Sequence, residues 1–107
     1  MDCQGFDLST TEIHEWEVEC IREAARTGNY LITPHAFQRM NERGIKADEI
    51  RLVLLNGNPV SKDLPGNPYY RKPGINLEGD LDDGRRIRVK VSWCRRYCVI
   101  TAHEVAQ

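Results

Sequence analysis

From Arg86 to Trp93 polar and apolar residues alternate without a break: Arg86, Arg88, Lys90 and Ser92 interleave with Ile87, Val89, Val91 and Trp93. A period of two belongs to a strand with one buried and one solvated face. A second strand-like run, Tyr97-Cys98-Val99-Ile100-Thr101-Ala102-His103, follows almost at once, so the two are expected to form a hairpin. With Arg95-Arg96 as a two-residue turn, Cys94 faces Tyr97 and Trp93 faces Cys98. Val91 then pairs with Ile100 and Val89 with Ala102 on the core face, while Lys90 pairs with Thr101 and Arg88 with His103 on the other. Arg-Arg lacks the usual Asn or Gly of such a turn. A longer loop would shift these pairs, and a one-residue slip would invert the faces.

An apolar sheet face needs a cover, and the N-terminal half supplies helices. Ser9 and Glu12 resemble a capping box, and Ile13, Trp16, Cys20 and Ala24 recur at helical spacing, giving one apolar stripe that stops at Gly28-Asn29. Glu15, Glu19, Arg22 and Arg26 are read as its solvated side. A second helix starts sharply at Thr33-Pro34 and ends at Gly44, with Ile45 packing back. Ala36, Phe37 and Met40 are its expected buried side. A third runs from about Ala47 to Asn56 with Ile50, Val53 and Leu54 inward. Its N-cap, Lys46, is poor, although Glu49 keeps half of a capping box.

Beyond Asn58 the pattern turns to strands: Pro59–Leu64, a turn at Pro65-Gly66-Asn67-Pro68, a strand near Ile75–Leu81, the Asp82-Asp83-Gly84 turn and the closing hairpin. The expectation is one α+β domain over residues 1–107: about three helices on one face of a mostly antiparallel sheet of three to four strands, with the other face polar and basic. The 107 residues leave no room for a second core.

No apolar run approaches the roughly 20 residues of a membrane helix, and Met1-Asp2-Cys3-Gln4 does not open a secretory leader. A cytoplasmic protein with reduced thiols at Cys3, Cys20, Cys94 and Cys98 is therefore expected. No Cys-x-x-Cys pair supports zinc, and a Cys94–Cys98 bond is disfavoured because the hairpin register puts the two on opposite faces. Charge is unevenly spread. Residues 1–50 hold 10 acids and 5 bases, and residues 51–107 hold 6 acids and 10 bases. A basic C-terminal half suits a phosphate-rich ligand, but suits a solvated strand face equally.

His35, Arg39 and Arg43 are four apart, within an arc of roughly 80° on one helix side, and are expected to be partly buried. His35 is the second residue of its helix, where the positive end of the dipole disfavours a cationic imidazole. It is thus read as a proton acceptor, with Arg39 clamping a phosphate drawn to the helix start. Metal-free RNA cleavage needs such a base, a cation for the phosphorane charge and an acid for the leaving oxygen. Arg88, His103, Lys90 and Tyr97 are candidates for the last two. Each has a plainer reading. His35 can cap, Arg39 can lock the helix to the sheet, Arg43 can satisfy helix carbonyls, and Arg86, Arg88 and Lys90 can be a solvated face. Tyr69 and Tyr70 could stack bases or simply pack. No Walker loop, His-Glu-x-x-His or Gly-x-Ser-x-Gly is present.

The segment His35-Ala36-Phe37-Gln38-Arg39-Met40-Asn41-Glu42-Arg43-Gly44-Ile45 resembles the hallmark of the bacterial domain-of-unknown-function family 4258. Asp48-Glu49-Ile50 with Leu54 and Asn56-Gly57, the Asp83-Gly84-Arg85 turn and Val99-Ile100-Thr101-Ala102 agree with it, so the likeness covers about residues 31–104. Members look like RelE/MqsR-type toxins. The resemblance implies a RelE-like fold and a metal-independent endoribonuclease without cofactor. It also implies a small zinc-finger or helix-turn-helix antitoxin partner. By position, His35, Arg39 and Arg43 match the hallmark. Members often carry a histidine where this chain has Arg88, and an aromatic residue where it has His103. The expected site is thus catalytic His35, Arg39, Arg88 and His103, with Arg43, Arg86, Lys90, Tyr97 and Thr101 binding RNA. The alternative is a non-catalytic module docking RNA or protein through a basic sheet face.

Overall fold

A computed structural model describes residues 3–66 and 72–106. In chain order the elements are α1 (Glu15–Thr27), β1 (Tyr30–Ile32), α2 (Pro34–Arg43), α3 (Ala47–Asn56), β2 (Asn58–Asp63), β3 (Gly74–Asp80), β4 (Arg86–Trp93) and β5 (Tyr97–Val105). The strands form one sheet in the order β1-β5-β4-β3-β2, antiparallel except for β1 beside β5. The class is α+β as expected, with five strands rather than three to four. The additional strand is β1, three residues between the end of α1 and the cap of α2. So short a run has no alternation of its own to read, and its ladder comes from β5. Tyr69 and Tyr70 lie outside the described residues.

One face of the sheet is dry. Ile75 and Leu77 of β3 sit in register with Val91 and Val89 of β4, and Ile87, Val99 and Ala102 extend the layer. Cys20, Ile21, Met40, Ile50, Val53 and Leu54 from the three helices close over it in one buried cluster. Gly57, after α3, is extended (φ −69°), and a Cβ there would lie 2.6 Å from the Val53 carbonyl. It serves close approach rather than a left-handed cap.

The caps of α2 follow the sequence reading. Thr33 Oγ1 accepts from the Ala36 N–H at 3.2 Å, and Gly44 takes a left-handed φ of 65°. Ile45 is buried and its N–H donates to the Met40 carbonyl at 2.9 Å. Glu49 accepts from the Lys46 N–H at 2.9 Å, the expected half box. Phe37, however, is 50% exposed. α2 meets the core through Ala36 and Met40, and Phe37, 100° round from Ala36, falls outside the contact.

The first helix departs further. It starts at Glu15, with His14 as N-cap, and Ser9 hydrogen-bonds Asp7 instead of capping it. Its buried residues are Glu17, Cys20, Ile21, Ala24 and Ala25, and Trp16 is 37% exposed. The apolar stripe is thus centred on an acid, which a hydrophobic pattern assigns to solvent. Glu17 accepts from the His14 and Asp7 N–H groups at 2.8 and 2.9 Å and pairs with Lys62 Nζ at 2.8 Å, both side chains fully buried. Lys62 also donates to the Asp7 carbonyl at 2.8 Å. Arg22, expected in solvent, donates to the Leu54 and Gly57 carbonyls, binding α1 to the end of α3.

The closing hairpin corrects both register and cysteines. Its loop is Cys94-Arg95-Arg96, with Arg95 at φ 71°, so Trp93 faces Tyr97 and Ser92 faces Cys98. The register shifts again between Lys90 and Val91, where Ile100 is left without a partner. This bulge cancels the longer loop, and Lys90–Thr101, Val89–Ala102 and Arg88–His103 pair as the sequence predicted. The wider loop also brings Cys94 back to Cys98. The two are disulfide-bonded, as are Cys3 and Cys20, contrary to the expected thiols. No described helix is long and apolar enough to cross a membrane.

Candidate active site

β1 covers only Tyr97–Val99 of β5, so beyond Val99 no described strand pairs on that side. An open edge leaves N–H and C=O groups to be satisfied, and α2 takes this place. The Thr33 N–H donates to the Val99 carbonyl at 3.0 Å, and Arg43 Nη1 donates to the Ala102 carbonyl at 2.6 Å. Between these two anchors lies a cleft of about 350 Å³ lined by His35, Arg39, Arg43, Ile100, Thr101, Ala102 and His103. The four-residue spacing of His35, Arg39 and Arg43 is what sets all three on the wall facing β5.

The walls differ in rigidity. His35, Arg39 and Arg43 are exposed, not partly buried as the helix pattern suggested. Among the described residues Arg39 pairs only with Glu42, at 3.1 Å, both half-exposed, and such surface pairs hold little energy. A phosphate could draw this guanidinium away cheaply. Arg43 spends one of its five N–H donors on Ala102 and keeps the rest.

His103 is half-buried and faces Arg88 across the ladder. Burial, then the guanidiniums of Arg88 and Arg43, lower its pKa below the ordinary 6.5, against an opposing pull from Glu78. The neutral imidazole is therefore favoured here. Glu78 pairs with Arg88 in the β3–β4 register and accepts from Arg88 Nε at 2.8 Å. Sequence reasoning passed over Glu78. The signal was available in the Asp82-Asp83-Gly84 turn, which sets this cross-strand row.

The remaining expected residues disperse. Arg86 pairs with Asp80 at 2.9 Å, and Lys90, opposite Thr101, pairs with Asp63 at 2.8 Å. Neither lines the cleft. Tyr97 is buried at the far end of β5, its hydroxyl donating to the Gly5 carbonyl at 3.0 Å and its ring edge-on to Trp93 at 4.9 Å. Asp80, Glu78 and Asp63 offset the cations of the open sheet face, which is polar but not the uniformly basic surface expected. Among the described residues no group of three or more His, Cys, Asp or Glu side chains could hold a metal ion.

Fold and cleft define a small α+β domain in which one short helix, docked on a sheet edge, presents a His-x-x-x-Arg-x-x-x-Arg row to a strand-borne histidine. A family profile described as Domain of unknown function (DUF4258) matches residues 32–104, and the chain belongs to that family. No curated protein and no solved structure matches it.

Proposed function

We propose that this domain is a metal-independent endoribonuclease of the toxin type, cutting RNA by 2′-hydroxyl attack in the α2–β5 cleft. The observation that carries the reading is His103: an imidazole held toward its neutral form, in a cleft whose opposite wall carries two arginines and a second histidine. A neutral imidazole beside a phosphate clamp can remove the 2′-hydroxyl proton. The new O2′–P bond forms as the P–O5′ bond breaks. Arg43 and Arg39 offset the phosphorane charge, and His35 protonates the leaving O5′. The products are a 2′,3′-cyclic phosphate and a 5′-hydroxyl. The base is thus His103 rather than the His35 of the sequence reading, because His103 is the half-buried one beside fixed cations and His35 is exposed.

The RelE/MqsR-type toxin assignment, the small zinc-finger or helix-turn-helix antitoxin and a cytoplasmic site of action belong to this proposal. They rest on the likeness of the α2 motif and on the packing of three helices with a mostly antiparallel sheet. A purely docking role through the sheet face is less favoured, since Arg86, Arg88 and Lys90 are each paired with a carboxylate.

Two results test the reading. Induced expression is expected to arrest bacterial growth, and His103→Ala and Arg43→Ala to relieve the arrest at equal protein level. Arrest that persists in both variants contradicts it. In vitro, cleavage is expected to rise with pH through a limb centred below 6.5, where His103 loses its proton. Arg88→Met removes a cation that disfavours the imidazolium, so it should move that limb upward toward 6.5. A limb unmoved by Arg88→Met contradicts the coupling of the titrating base to Arg88.

A further inference from the structure

At the other end of β5 lies a second cleft, of about 380 Å³, whose lining includes Gln4, Glu23, Asn29, Trp93, Arg95 and Arg96. Its two cations stand apart from the rest of the molecule. Every other described arginine has a protein acceptor for its guanidinium: Arg22 and Arg51 on helix carbonyls, Arg43 on Ala102, and Arg26, Arg39, Arg85, Arg86 and Arg88 on carboxylates. Among the described residues the guanidiniums of Arg95 and Arg96 have none. Both are exposed, adjacent in the three-residue β4–β5 loop, and both line the same concavity. The one carboxylate on its wall, Glu23, is already held by Arg26 through two hydrogen bonds of 2.9 and 3.1 Å. The Cys94–Cys98 disulfide closes the loop that carries the pair, and the Cys3–Cys20 disulfide fixes the opposite wall. Two exposed guanidiniums on one three-residue loop suit a phosphate, which accepts several N–H donors at once.

We propose that this cleft is a second phosphate-binding site, taking a backbone phosphate of the RNA strand whose scissile linkage lies in the α2–β5 cleft. The anion chemistry stands on Arg95 and Arg96 alone, and the identity of the strand rests on the proposed ribonuclease reading. Tyr97 lines this cleft and Ile100, Thr101, Ala102 and His103 line the other, three to six steps along one strand, or about 10–20 Å. One short oligonucleotide spans that distance. The phosphate contact here sets affinity and carries no base specificity.

The test is equilibrium binding of a labelled single-stranded RNA to the His103→Ala protein, which leaves the strand intact, followed across salt concentration. Adding Arg95→Ala and Arg96→Ala is expected to weaken binding and to reduce the slope of log affinity against log salt by about 0.7 per lost phosphate contact. Arg95→Gly separates this from folding. It removes one cation while relieving a left-handed backbone at φ 71°, so binding should weaken while thermal stability holds or rises. Lysine at both positions should restore the slope. An unchanged affinity and slope in the double variant, or no RNA binding by the parent, overturns the proposal. In a separate arm, pyrophosphate that shifts the Trp93 indole N–H signal of the unmutated protein, with no RNA binding, assigns the cleft to a free anion and overturns the strand assignment. The two readings fail separately. Cleavage lost in His103→Ala with an unchanged salt slope in the arginine variant sinks only this site, and a reduced slope without any cleavage sinks the ribonuclease and the scissile-strand assignment while the phosphate contact stands.

Discussion

Replacing Lys62 with methionine is expected to lower the unfolding free energy by about 3–5 kcal/mol, the cost of leaving a buried charge without its counterion. Glu17 is fully buried, and Lys62 is the cation that pairs with it. Methionine fills much of the lysine stem's volume, so the loss measures charge and hydrogen bonding rather than a cavity. Three segments meet at this pair: the Asp7 strap, the first turn of α1 and strand β2. Against a total stability of about 5–15 kcal/mol for a domain of this kind, the variant should unfold at markedly lower denaturant. Adding Glu17→Gln to Lys62→Met should recover part of the loss, because the stranded charge is gone while the single amide oxygen still accepts from one of the two N–H groups of His14 and Asp7. Urea unfolding of the single and double variants measures it. A loss below about 1 kcal/mol for Lys62→Met would mean the pair is no more than a surface contact in energy.

The second large effect concerns chemistry. His103→Ala is expected to lower the RNA cleavage rate by about 10²–10⁴-fold, the usual contribution of a general base, with little change in RNA affinity. His103 faces the cleft from β5 and makes no hydrogen bond to another described side chain, so its removal should leave the fold in place. Arg43→Ala should differ. It removes a phosphate ligand and also the donor to the Ala102 carbonyl, so it should weaken both affinity and α2 docking. Single-turnover rates with saturating protein separate the two. A His103→Ala protein that cleaves at the parent rate would move the base elsewhere, with His35 the remaining imidazole of the cleft.

What the sequence made legible follows the range of the interactions. The caps of α2 depend on Thr33, Pro34, Gly44 and Ile45, all within one short stretch, and were readable as they stand. So was the row of His35, Arg39 and Arg43, a consequence of helical pitch alone. The Arg88–His103 pairing came out as expected for a reason no local pattern contains: a loop one residue longer was offset by the bulge at Ile100. The same longer loop overturned the reading of Cys94 and Cys98. Strand β1 was missed because three residues gain strand character only from β5. The buried Glu17 was missed because a pattern of apolar residues has no place for an acid whose partner lies 45 residues away on another element. The open sheet face looked basic because Arg86, Arg88 and Lys90 alternate along one strand and so share one face. Their carboxylate partners are spread over β2 and β3 and become visible only with the register.

The account turns on a neutral His103 drawing the proton from a ribose hydroxyl while the arginines of α2 hold the adjacent phosphate. An RNA with a preferred cleavage site, carrying a single 2′-deoxy nucleotide immediately 5′ of that linkage, tests this most directly in buffer containing a chelator. The account predicts that cutting stops at the modified linkage, continues at unmodified ones and leaves 2′,3′-cyclic phosphate ends. Continued cutting at the deoxy linkage, or ends bearing a free 3′-hydroxyl, would contradict it.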